Sequence, residues 1–158
     1  MKKKLWRWFF LGGIGVCFFC TVKNLVEYII KLADKSCRME TYTIMYDQWF
    51  TMRETKGKLE DYLKDNNIHT VGIYGMGNLG IHLLHDFKNI STVQVKYGVD
   101  RSVEKINESL IIYKPEDFLP EVDLVIVTAI FSYDEIVSNL REKLTCPIIS
   151  LKEFMEEI

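Results

Sequence analysis

Residues 70–84, TVGIYGMGNLGIHLL, constrain this chain more than any other stretch. Residues 71–74 are a short apolar run suited to a buried parallel strand. Gly75, Gly77 and Gly80 follow in G-x-G-x-x-G spacing, and Ile81, Leu83, Leu84 and Phe87 supply the apolar face of a helix. The pattern predicts strand, glycine turn, helix. In a nucleotide-binding crossover each glycine has its own task. The first makes the tight turn, the second lets backbone approach a pyrophosphate, and the third lets the helix pack close to the strand. Free N–H groups at the helix start attract the anion, which makes Gly75, Met76, Gly77, Asn78, Leu79 and Gly80 the candidate cradle. A second strand over residues 93–99 ends in Asp100, 20 residues after Gly80 and near the place of a ribose-binding acid.

Length and charge bound the rest. A chain of 158 residues holds one domain plus an appendage, and 27% charged with 48% hydrophobic residues excludes wholesale disorder. Residues 1–38 carry eight Lys/Arg and two acids, a balance of +6, while residues 39–158 carry twelve bases and twenty acids, a balance of −8. An acidic globular part argues against nucleic acid, which calls for a basic patch or stripe. A basic, apolar N-terminus suits an anionic membrane surface.

Residues 8–22 carry no charge, a run of 15 where a bilayer span takes about 20. Three readings stand. One is a spanning helix reaching from Leu5 toward Ile30. Another is a monotopic anchor with Trp6 and Trp8 at the headgroups, and the third is a helix buried against a partner. Membrane association through residues 5–30 is the favoured expectation, with the globular domain on the cytoplasmic side. Cys17 and Cys20 form a C-x-x-C inside this run and read as small apolar residues; Cys146 reads as structural, and no second Cys pair or His pair has zinc spacing, so no metal is expected.

Residues 24–66 read as mostly helical. Tyr42, Met45, Tyr46, Trp49 and Met52 form an apolar stripe that Gly57 interrupts and Leu59, Tyr62 and Leu63 resume. Tyr46, Trp49 and Phe50 invite a ligand-stacking site, but an aromatic stripe at helical spacing is better read as core or as an oligomer contact. Arg101 can accommodate a 2′-phosphate, but Asp100 directly before it would repel one, which favours NAD or a nucleotide-sugar over NADP. Residues 110–113 read as a short strand or extended segment, and residues 123–128 as a buried strand ending in Thr128, with Phe131 beyond it. Ser132-x-x-Glu135 reads as a capping box for a helix reaching about residue 144; a strand over residues 147–150 and a short final helix complete the chain. The fold class is therefore α/β: a reduced Rossmann-like parallel sheet of about four strands, with an N-terminal helical arm and a hydrophobic anchor. The boundaries are residues 1–38 for the membrane-associating segment, 39–66 for the arm and 67–158 for the nucleotide-binding domain.

Residues 71–80, then Tyr97-Gly98-Val99-Asp100-Arg101, then residues 123–128 with Phe131 and Asp134-Glu135-Ile136, together resemble a small Rossmann-like domain. It is similar to the C-terminal domain of sugar C-methyltransferases and to short stand-alone proteins associated with bacterial capsular polysaccharide synthesis. The resemblance covers about residues 45–155 and lacks the methyltransferase catalytic domain. It implies nucleotide or nucleotide-sugar binding in surface-polysaccharide assembly, with a polysaccharide enzyme or a second copy as the partner of the 39–66 helix.

No catalytic constellation emerges. No Tyr has Lys four residues later, His82 and His85 lack a matched acid ligand, and His69 precedes the first strand at the wrong end of the sheet. Tyr113, Thr128, Ser132 and Tyr133 fall near the ligand mouth without an evident activating partner. A nucleotide-binding module with Asp100, Arg101, Thr128 and Phe131 beside the glycine turn is the leading reading. An NAD-dependent sugar-nucleotide dehydrogenase or epimerase subunit completed by a partner is the alternative, and a scaffold without ligand the third.

Overall fold

In the computed structural model the elements run α1 (Lys2–Glu54), α2 (Lys58–Asp65), β1 (Thr70–Tyr74), α3 (Asn78–Lys88), β2 (Gln94–Val99), β3 (Ile112–Tyr113), β4 (Leu124–Val127), a 3-10 turn (Ile130–Ser132), α4 (Tyr133–Leu140), β5 (Ile148–Ser150) and α5 (Leu151–Glu156). The structure describes residues 2–54, 57–102 and 110–158, with side chains from residue 19 onward. The chain is α/β and divides into two compact units, residues 1–47 and 48–158.

The first unit is one continuous helix whose described side chains from residue 19 to residue 40 are all exposed. Among the described residues no helix is long and apolar enough to cross a membrane. The side chains of Trp6, Trp8 and Cys17, on which the anchor expectation leans, lie outside the described residues.

In the second unit five parallel strands pair in the order β3–β2–β1–β4–β5. The expectation of about four strands is corrected by β3, where Ile112 and Tyr113 pair with Gly98 and Val99. All four residues of β4 are buried, as expected of a strand covered on both faces. Alternation along the strands sends Tyr74, Val125 and Val127 toward α4, where they join Tyr97, Val99, Ile136 and Leu140. Ile73 points the other way, toward α3, and there Phe87 of α3 meets Phe154 of α5 with ring centroids 6.1 Å apart. Helices thus cover both faces.

The last turns of α1, from Gln48 onward, belong to this unit. Trp49 is buried, and its indole N–H donates to Asp86 Oδ2 on α3 at 2.6 Å. Arg53 Nε lies 3.3 Å from Asp86 Oδ1, so both oxygens of a nearly buried carboxylate are engaged. Trp49 is therefore packing, as the reading of a helical aromatic stripe expects, whereas Phe50 is exposed.

Two S-x-x-E sequences behave differently. Ser132 makes no side-chain cap, because it closes the 3-10 turn with φ −121° and ψ 19° instead of the extended backbone a cap needs. The expected capping box is thus corrected, and α4 stops at Leu140. Ser150, with φ −75° and ψ 152°, does cap α5: its hydroxyl accepts from Glu153 N at 3.0 Å.

Two residues away from the carboxyl edge carry predictions. The Tyr97 ring lies across Gly72, where any Cβ would sit 2.8 Å from it, and its hydroxyl is buried without a partner among the described residues. Burial pushes that phenol's pKa up. Tyr97→Phe removes the orphan hydroxyl and keeps the ring, and is expected to raise stability by about 1 kcal/mol in urea unfolding. At the amino edge, Asp123 Oδ2 accepts from His69 N (2.9 Å), Thr70 N (2.8 Å) and Thr70 Oγ1 (2.8 Å). The His69 amide, followed by the Thr70 hydroxyl and amide, holds this carboxyl below its ordinary range. Its stabilising contribution is therefore full above the ordinary carboxylate pKa and is lost as pH falls through the lowered one. Asp123→Ala is expected to cost about 1 kcal/mol at pH 7, a difference that closes as unfolding is measured at progressively lower pH.

Candidate functional site

The strand register assembles the site. Tyr74 of β1 pairs with Val99 of β2 and Val127 of β4. The next residue on each strand is Gly75, Asp100 and Thr128, so these three leave the sheet in one row at its carboxyl edge. That edge also holds the point where the strand order reverses: β2 and β3 lie on one side of β1, β4 and β5 on the other.

Gly75 turns the chain with φ +95°, a conformation that suits a residue without Cβ. Its N–H donates to Val99 O at 2.8 Å, and its carbonyl oxygen accepts from the buried Thr128 hydroxyl. Met76 N donates to Asp100 Oδ2 at 2.8 Å, while Asp100 Oδ1 accepts from Ser102 N at 2.8 Å. The Met76 side chain is buried over Gly98, where an added Cβ would lie 2.8 Å from its sulfur. The loop is thus pinned to β2 through Val99, Asp100 and Gly98, and to β4 through Thr128.

The other two glycines differ sharply. A Cβ on Gly80 would overlap the Gly75 carbonyl oxygen, so α3 packs against the turn at backbone distance. A Cβ on Gly77 would meet nothing within 4 Å. Gly77 is the exposed N-cap of α3 and no side chain caps it, so the first amides of the helix have no intrahelical or side-chain cap acceptor. Asn78 is exposed and Leu79 buried, as a helix start with one face on the sheet requires.

The remaining expected residues take separate places. Asp100 is half-buried and acts first on the loop; each of its oxygens keeps a second lone pair for a further donor. Thr128 is a buried clamp, not a group open to ligand. Arg101 and Phe131 are exposed. Burial raises the Tyr74 phenol pKa, Arg101 opposes the rise, and Asp100, Glu135 and Glu116 add to it. Tyr133 spends its hydroxyl on Ile148 O at 2.9 Å. His82 is exposed and edges the Trp49 ring. Burial raises the Cys146 thiol pKa, the reverse of an activated nucleophile. Among the described residues no group of three or more His, Cys, Asp or Glu could hold a metal ion.

Sequence reading missed the Asp100–Met76 clamp and the Met76 seat. A glycine inside a strand is a signal of close approach, and Gly98 carried it. No family model matches the chain, and neither a curated protein nor a solved structure matches it.

Proposed function

We propose that this chain is a nucleotide-binding module whose phosphate cradle is the glycine turn at Gly75–Gly80, in a Rossmann-like sheet. The observation that carries this reading is the contrast among the glycines. Gly75 and Gly80 are needed by the fold, whereas Gly77 leaves space in front of uncapped helix amides that the fold itself does not use. Such amides, with the helix dipole behind them, favour a diphosphate. The strand order and its reversal at the turn match the crevice where open parallel sheets bind ligands. The free lone pairs of Asp100 suit ribose hydroxyls. The resemblance to capsular-polysaccharide proteins directs attention to nucleotide-sugars as well as NAD, and the basic, uncharged-core N-terminus supports a membrane-attached setting.

Calorimetric titration of the full chain in mild detergent with NAD, UDP and UDP-sugars tests this. Saturable binding of any of them at one site per chain is expected. No heat from any of the three, with the sheet unit folded, overturns the proposal.

A further inference from the structure

The exposed part of α1 carries a seam that the site does not explain. Val22, Leu25, Ile29, Leu32 and Met39 fall on the a and d positions of a heptad, a series in which Ser36 and Thr43 are the polar a positions. Leu25, Ile29, Leu32 and Met39 are each more than half exposed, at 58%, 54%, 53% and 58%. Away from the seam the helix carries the i,i+4 pairs Lys23–Glu27 at 3.8 Å and Arg38–Asp34 at 2.9 Å, beside the exposed Ile30. We propose that residues 22–43 form a parallel two-stranded coiled coil with a second copy of this chain.

Charge selects that occupant. With Val22 at a, Lys35 falls at g and Glu40 at e. In a parallel pair, g of one helix faces e of the next heptad on the other, so Lys35 of each copy meets Glu40 of its counterpart. The remaining g-to-e juxtapositions, Thr21 with Val26, Tyr28 with Ala33 and Tyr42 with Asp47, place no like charges together. Polar a positions, here Ser36 and Thr43, fit the device by which coiled coils set register. A membrane surface suits the stretch less well. Residues 19–43 hold four bases (23, 31, 35, 38) and three acids (27, 34, 40), a balance of +1, where an interfacial helix concentrates Lys and Arg on its polar face.

The test uses the full chain in mild detergent, by sedimentation and by disulfide trapping with the native cysteines replaced by alanine. A mass of two chains is expected. Val22→Cys and Ile29→Cys, on the seam, should oxidise to covalent dimers about ten-fold faster than Lys31→Cys on the outer face. Leu25→Glu with Ile29→Glu should give single chains while the unfolding midpoint of the sheet unit stays put. A monomeric wild type, or equal trapping at positions 29 and 31, overturns the proposal. So does a dimer in which neither seam cysteine traps. If Ile29→Cys stays monomeric and is shielded from a water-soluble maleimide only when phosphatidylserine vesicles are added, the face belongs to a membrane and the proposal fails.

Discussion

Gly80→Ala is expected to lower the unfolding free energy by about 3 kcal/mol, read as an earlier midpoint in urea. The added methyl would overlap the Gly75 carbonyl oxygen. That oxygen has little freedom to retreat, since the same peptide region donates to Val99 O and accepts from Thr128. The helix must lift from the turn, which pulls Leu83, Leu84 and Phe87 out of a well-packed face. An unchanged midpoint would mean that the turn and α3 do not approach as described.

Gly77→Val should do the opposite: leave the fold alone and remove the ligand. Gly77 has φ −73° and ψ −165°, open to any residue, and its Cβ direction is empty. The loss of a tolerable N-cap costs about 1 kcal/mol at most. A branched side chain there would fill the approach to the helix amides and lower nucleotide affinity by about a hundred-fold, near 2.7 kcal/mol. Calorimetry against the best wild-type ligand, paired with urea unfolding, checks both halves. Full affinity in a folded Gly77→Val protein would move the binding site away from the glycine turn.

The strand, turn and first helix of the sheet unit were legible because two periodicities meet there with glycines between them. Residues 71–74 need burial on both faces, and Ile81, Leu83, Leu84 and Phe87 need it on one. What was not legible depends on backbone direction. Ser132-Glu135 and Ser150-Glu153 share one local pattern, yet only Ser150 leaves a strand in the extended conformation that aims its hydroxyl at the helix. β3 was uncertain because two residues are too few to show a period. The place of Asp100 at the end of β2 is legible in the sequence, but its bonds to Met76 and Ser102 follow from the register of neighbouring strands, which a linear sequence does not display.

The anchored turn has a consequence for timing. Gly75 and Met76 are already held by Val99, Asp100, Gly98 and Thr128 before any ligand arrives. A loop without remaining freedom surrenders little entropy on capture, and no rearrangement stands between encounter and the bound state. If the turn holds the proposed nucleotide, capture would be governed by diffusion and charge, and residence time by the groups that touch the ligand. Under that proposal, substitutions at Tyr74, Arg101 and Glu135 would change how long a nucleotide stays without changing how quickly it is found.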